Sequence, residues 1–541
     1  MTRTALARTA RSEPSEAPGR ARPAAGTAAA GAAAGTGETD GGTTRSRFLA
    51  VFSGLLVAML LASLDQTIFS TALPTIVGEL NGVEHQLWVT TAYMLTATIM
   101  MPVYGKLGDL LGRKNLFIGA ISIFLAGTVV GGSAASMTSL IAARAIQGLG
   151  GGGLMILSQS IIADVVPARD RGKYMGAMGA VFGLSSIIGP LLGGWFTESL
   201  SWRWAFWINV PLGLVAVAAA VIFLDLPRRR LTVAIDWRGI ATMAVATSAI
   251  ILICAWGGHT YAWDSAQILG LAAVAAVGAI AFVAVERRAE APIIPLHLFA
   301  SRNFNLATIA GMIIAIGMFG AISYMPTYFQ MVYGYSATQA GLLLISMVSG
   351  LMGAALLTGN LASRTGRYKW MTIACAVVSA IGLGLLSTIE VTTSVQVLCT
   401  YLFVLGAGIG LGMQIFILIV QNSFPDREVG AATAANNFFR EIGATLGAAI
   451  VGSIFTSNLT SLLTERMSEA GIDPGRSGAA ISGLTPAIVN ALPEQLRAIV
   501  TSAYSEALTP VFGHLVPLVL VALVVVCFIR EVPLRTSVEE H

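Results

Sequence analysis

GKLGDLLGRK, running from Gly105 to Lys114, is a short charged stretch between two apolar runs at 86–106 and 115–134. Each run has about the 20 residues that a helix rising 1.5 Å per residue needs to cross a hydrocarbon core roughly 30 Å thick. The stretch therefore reads as a tight connection between two membrane helices, with Gly105, Gly108 and Gly112 permitting the turn and a close helix approach. A weaker echo, GNLASRTGRYK from Gly359 to Lys369, lies between apolar runs at 338–361 and 369–388. A repeated connection between repeated spans predicts two like halves related by an axis along the membrane normal.

Composition points the same way. Of 541 residues, 55% are hydrophobic and 11% charged, with a mean hydropathy of +0.76. A domain surrounded by water needs more charged surface than this. In hydrocarbon every backbone polar group must be satisfied within its own segment. Long runs of Leu, Ala, Val and Gly achieve that as helices rather than as barrel strands. The expected class is an all-α polytopic membrane protein.

The apolar runs fall at 48–73, 86–106, 115–134, 139–163, 173–197 and 203–225, then at 236–256 and 265–285. Six more follow at 304–328, 338–361, 369–388, 395–419, 429–456 and 510–530. Loop charge tests the count independently. With the amino terminus inside, 26 of the 32 Lys and Arg residues fall in the tails and cytoplasmic loops, four fall in external loops, and Arg144 and Arg440 lie within spans. A missed span would scramble this positive-inside pattern. Fourteen spans fit and twelve do not.

The organisation that follows starts with a disordered cytoplasmic tail at 1–46, rich in Ala, Gly, Thr, Pro and Arg and not a signal peptide. A six-helix half at 47–225 and a two-helix insert with its flanking cytoplasmic loops at 226–303 come next. A second six-helix half at 304–530 includes a long external loop at 457–509, and a cytoplasmic tail covers 531–541. The four cysteines stand singly, and five histidines include no HExxH, so no metal site is expected. Gly148, Gly150 and Gly153 match GxGxxG, but inside a membrane helix with no preceding strand they do not form a dinucleotide site. No catalytic constellation is present, and neither enzymatic activity, a cofactor nor a nucleic-acid partner is expected.

Four segments in order, with one local match, carry a family resemblance. They are LDQTIFSTALP (Leu64 to Pro74), GKLGDLLGRK, RAIQGLGGG (Arg144 to Gly152) and GLSSIIGPLLGG (Gly183 to Gly194), joined by SWRWAFWINVP (Ser201 to Pro211). Over roughly residues 48–530 the chain resembles the fourteen-span drug:proton antiporters of the major facilitator superfamily, the QacA/EmrB type. Ser70 stands where that family usually has Asn. The resemblance implies the major facilitator fold, two six-helix halves with a two-helix insert, acting as a monomer in the cell membrane with both termini cytoplasmic.

Asp65 is the most informative position, because a carboxylate within a span costs about 2.5–3.5 kcal/mol on insertion scales. Either it is a structural carboxylate held by hydrogen bonds, or it exchanges a proton for substrate. Arg144 is its candidate partner. By helix rise the two lie ~12 Å and ~7.5 Å below the outer ends of their spans. The other reading of Arg144 is outward snorkelling. In span thirteen Thr433, Asn437 and Glu441 form one polar stripe, and Asn436 with Arg440 forms its neighbour. The stripe is either a cavity wall or a hydrogen-bonded helix contact. Glu441 is the second protonation candidate, and Thr67, Gln147, Asn436, Asn437 and Arg440 are the expected cavity residues.

For the loop Gly105 to Lys114 the family fold implies gating. Asp109 would cap the amino end of span thirteen, where the helix dipole favours an anion. Arg113 would pair with Asp164, with Gly105, Gly112 and Lys114 completing the contact. Gly183, Gly189, Pro190, Gly193 and Gly194 would permit close packing and a bend in span five, the antiporter motif of the family. Export of amphipathic or hydrophobic, cationic compounds in exchange for protons is the resulting expectation. A lipid or endogenous metabolite is the alternative cargo.

Overall fold

Among the described residues, fourteen helices are long and apolar enough to cross a membrane. In chain order they are Ser46–Phe69, Gln86–Leu111, Arg113–Gly132, Met137–Val165, Ala168–Ser199, Trp204–Phe223, Trp237–Trp256, Ala266–Glu286, Arg302–Val332, Thr338–Thr365, Lys369–Leu386, Val395–Asn422, Val429–Glu469 and Glu494–Cys527, numbered below as spans one to fourteen. The computed structural model describes residues 40–226 apart from 81, 83 and 84, residues 234–469 apart from 259, and residues 486–536. The chain divides into a unit ending at Ser46 and a second running from Arg47 to His541. The expected tail lies outside the described residues up to position 39, and from Asp40 the chain is already helical.

The predicted repetition is present in three dimensions. Span two packs on span thirteen and span five on span ten, so each half contributes one helix to each of two seams. At the first seam a Cβ on Gly105 would meet the carbonyl oxygen of Gly430 at 2.7 Å. At the second, a Cβ on Gly172 would meet the carbonyl oxygen of Gly359 at 2.8 Å. Only glycine allows both backbones to come this close. Gly112, at φ +89°, turns the chain from span two into span three.

The insert lies against the first seam. Span seven packs on span eight and on both span two and span thirteen. Trp88 meets Trp256 edge to face at 5.8 Å, and Trp263 donates to Ser453 Oγ at 2.7 Å. Span eight turns most of its surface outward, with 17% of its apolar window buried, as a lipid-facing helix does.

The hydropathy runs coincide with the helices except near the carboxyl end. Spans thirteen and fourteen continue far into the expected external loop 457–509, of which 470–485 lie outside the described residues. At 41 residues, span thirteen is ~60 Å long, about twice the hydrocarbon thickness. The helices continue because their faces are buried: Leu463, Val500, Ala503 and Tyr504 extend the core of the second half. Arg466 bonds to both Ser502 and Glu506.

The face carrying Lys106, Arg113 and Lys114 is called the basic face here. The chain after span fourteen crosses it as a strap. Arg530 exchanges two hydrogen bonds with Asn303, and Glu531 accepts the Tyr368 N–H at 2.7 Å. Val532 exchanges two with the Tyr368 hydroxyl, and the Arg535 carbonyl accepts the Arg169 N–H of the first half at 3.0 Å.

At the far face Glu79 accepts from Arg203 Nη1 at 2.8 Å and from Trp202 Nε1 at 2.9 Å. The Arg203 hydrogen bond holds its carboxyl below the usual range. A depressed carboxyl adds stability above its ordinary pKa and loses it as pH falls through the folded value. The Tm gap between wild type and Glu79→Gln is therefore expected to be small near neutrality, since the pair is exposed. It should close as the pH is lowered through the carboxylate range, as a differential melting series would record.

Candidate functional site

Span four begins at Ser136, whose side chain caps the helix through a reciprocal bond with Ser139. Two turns later it delivers Arg144, which is 1% exposed and reaches span one rather than the membrane surface. Arg144 Nη1 donates to Asp65 Oδ2 at 2.5 Å. Gln147 and Asn209 donate to the other oxygen, Oδ1, at 3.1 and 2.9 Å. The snorkelling reading of Arg144 is thereby excluded: its guanidinium is enclosed. It also donates to the Gln147 side-chain oxygen at 2.9 Å and to the Val89 carbonyl, and it stacks over the rings of Phe69 at 4.3 Å and Tyr93 at 4.4 Å.

These extra partners matter chemically. Breaking a buried ion pair by neutralising one member costs about 3–5 kcal/mol when the other is left stranded. Protonating Asp65 would release one donor, yet Arg144 would keep a side-chain amide, a backbone carbonyl and two aromatic faces. Arg144 is thus held by more than its counter-charge.

The glycines after Arg144 form a packing surface, not a phosphate cradle. Cβ atoms on Gly148, Gly150 and Gly152 would collide with the backbones of spans two and three at Tyr93, Ala120 and Ala97. They allow spans two, three and four to close around the ion pair.

Below Tyr93 lies the central cavity, about 60 Å³. It is lined by Ser63, Gln66, Tyr93, Thr98, Arg440 and Glu441 among others. Drug-sized molecules need roughly 300–1,000 Å³, more than this cavity offers. Tyr93 forms the wall between the cavity and the ion pair.

Several expected cavity residues lie elsewhere. Thr67 donates to the Ser185 carbonyl at 2.9 Å and serves the contact of span one with span five, while its neighbour Gln66 takes the cavity position. Gln147 belongs to the ion-pair cluster and also donates to Thr128 at 3.0 Å. Asn437 is fully buried and donates to Gln159 of span four at 2.9 Å, so that part of the stripe is a helix contact. Asn436 and Arg440 do line a cavity, together with Met318, Phe319 and Phe416. A polar residue in a membrane helix can satisfy itself on a neighbouring helix as readily as on a ligand. Helical period alone did not separate the two.

At the basic face Asp109 accepts the Gly430 N–H at 3.1 Å and the Ala431 N–H at 2.7 Å, capping the start of span thirteen. Arg113 bridges Asp109 at 2.7 Å and Asp164 at 2.6 Å, bonds to the Ser160 carbonyl, and reaches the Asp426 carbonyl across the seam. Arg171 meets Asp426 Oδ1 at 3.4 Å. Lys114 takes no part. It caps the end of span six through the Val221 carbonyl at 3.1 Å, within its own half. In span five, Cβ atoms on Gly189 and Gly193 would press into Thr67 and Ile68 of span one, and one on Gly183 into Met352 of span ten. Gly194 is the exception, with nothing within 4 Å of a Cβ placed there, so it has no packing role.

Sequence reasoning missed Asn209, Thr128, Tyr93, Asp426 and Arg171. A signal for the last two exists in the repeat. Pro167 to Gly172 and Pro425 to Gly430 have the same Pro-to-Gly spacing in corresponding connections, and both segments end at the seam glycines.

The family described as the Major Facilitator Superfamily matches residues 55–448. An uncharacterized MFS-type transporter of Mycobacterium tuberculosis is 41% identical over 90% of this chain and 70% of its own length. Multidrug resistance protein 3 of Bacillus subtilis is 36% identical over 90% of this chain and 96% of its own. The crystal structure of the human organic anion transporter MFSD10 (TETRAN) superposes with a TM-score of 0.57 at 14% identity, covering 87% of this chain and 99% of that one. That likeness concerns the fold alone.

Proposed function

The chain belongs to the Major Facilitator Superfamily, a family of multi-pass membrane transporters rather than of enzymes, and on that footing we propose that it exports amphipathic, hydrophobic compounds in exchange for protons. The observation that carries the reading is the Asp65–Arg144 pair, a fully buried carboxylate whose cation has other partners to fall back on. The multidrug name of the Bacillus subtilis relative supports the cargo class.

In this reading the basic face is cytoplasmic, and the contacts of Asp109 and Arg113 keep it shut while Asp65 exchanges its proton with the far side. Protonation loosens Arg144, the halves rock about the two glycine seams, and cargo entering from the cytoplasm displaces the proton. Cargo shifts the equilibrium only through its differential affinity for the two states. A proton crossing 100 mV supplies about 2.3 kcal/mol. One proton exchanged for a monovalent cation moves no net charge, so voltage contributes only if a second proton travels, for which Glu441 in the cavity wall is the candidate.

The test is the purified protein in sealed vesicles with an imposed pH gradient. A fluorescent amphiphile is expected to move against the proton flow and to stop when a protonophore collapses the gradient. Movement indifferent to the gradient would reject antiport and leave facilitated diffusion.

A further inference from the structure

We propose that Arg440 is the anchor for an anionic oxygen group on the transported molecule, so that the preferred cargo is an amphiphile bearing a carboxylate and not a simple lipophilic cation. This rests on the export reading only in taking the central cavity as the cargo site.

Arg440 and Ser63 line that cavity, and within them Arg440 Nη1 and Ser63 Oγ, both enclosed by protein, have no hydrogen-bond partner. The other terminal nitrogen, Nη2, reaches only the Met155 sulfur at 3.7 Å, a weak acceptor. Among the described residues no carboxylate lies within 4.0 Å of the guanidinium. Glu441 is its sequence neighbour, but adjacent helical residues point about 100° apart. A guanidinium is always charged and presents a planar fork that fits a carboxylate bidentately. Held at mid-membrane without a partner it is costly, and a protein retains such a group where something else completes it.

The surroundings define the rest of the ligand. Met318, Phe319, Met413 and Phe416 form an apolar wall beside Arg440, which suits the hydrophobic body of an amphiphile. The Asp65–Arg144 pair, by contrast, is already saturated and walled off by Tyr93. Glu441 lies at the same cavity and accommodates an amine on the same molecule, so a zwitterionic amphiphile also fits.

The experiment measures binding to the full-length purified protein with no gradient applied, using a dansyl-tagged fatty acid, its methyl ester, and tetraphenylphosphonium. Wild type is expected to bind the acid roughly tenfold or more tightly than the ester, the range of a hydrogen bond to a charged group. Arg440→Gln should abolish that preference by weakening the acid alone, and Arg440→Lys should restore part of it. Ser63→Ala should weaken the acid less.

Thermal unfolding gives a readout that a structural role would not produce. Arg440→Met removes an unpaired buried cation and should raise the Tm of the ligand-free protein, while the acid should raise the Tm of wild type and not of the variant. Equal binding of acid and ester by wild type, equal losses for both in Arg440→Gln, or a lowered Tm in Arg440→Met would each overturn the proposal. None of these outcomes touches the gradient-driven assay, so a failure of the export reading would register separately.

Discussion

Asp65→Asn is expected to reduce gradient-driven efflux to background while leaving passive exchange of cargo intact. Asparagine preserves the shape of the side chain and can still accept from Gln147 and Asn209, but it holds neither a charge nor a titratable proton. The cycle would lose the proton exchange at Asp65 through which the pH gradient does work. The variant also removes the counter-charge of Arg144, whose remaining partners should hold the loss below the about 3–5 kcal/mol of a stranded buried charge, so a stability effect must be separated from a coupling effect. The double variant Asp65→Asn, Arg144→Gln separates them, because it removes both charges at once. Its Tm should recover most of the loss, and its gradient-driven efflux should not recover. Undiminished efflux from Asp65→Asn in vesicles would exclude this carboxylate as the coupling site.

Asp109→Ala is expected to open the basic-face seam, and to do so far more than Ser363→Ala. The two positions correspond in the repeat, four residues after Gly105 and Gly359. They do equivalent work. Asp109 accepts two backbone N–H groups at the start of span thirteen, and Ser363 Oγ accepts the Lys173 N–H near the start of span five at 3.1 Å. The difference is charge. Hydrogen bonds to a carboxylate contribute about 1.5–3 kcal/mol each against about 0.5–1.5 for a neutral acceptor. Asp109 also neutralises Arg113. Amide exchange at Gly430 and Ala431 should accelerate by roughly ten- to a hundred-fold in Asp109→Ala, with efflux falling in parallel. The Lys173 amide in Ser363→Ala should change by a few-fold at most. Equal effects at the two seams would mean that the glycine contacts, and not these caps, hold the face closed.

The sequence-level reading of the gate depended on a repeat and a family resemblance, and the Asp109 cap and the Arg113–Asp164 pair stand in the structure where it put them. It missed Asp426 and Arg171 because their partners are contributed by the opposite half, some 255 residues away in the chain. Thr67, Gln147 and Asn437 show the opposite limit. Each is an expected cavity residue, but each donates to a neighbouring helix instead.

What the sequence determines by itself is the class, the number of spans and their repetition. Those follow from the transfer of backbone and side chains into hydrocarbon, a property each segment carries alone, and from loop charges that are simply counted. What the tertiary structure decides is which polar groups are spent and which are left over. Asp65, Gln147 and Asn209 sit on three different spans, and all three side chains bond to one another or to Arg144 around a single carboxylate. Arg440, no less buried in sequence terms, finds no such company. Hydrogen-bond satisfaction is a property of neighbours, and in a helical membrane protein the neighbours are fixed only when the helices pack.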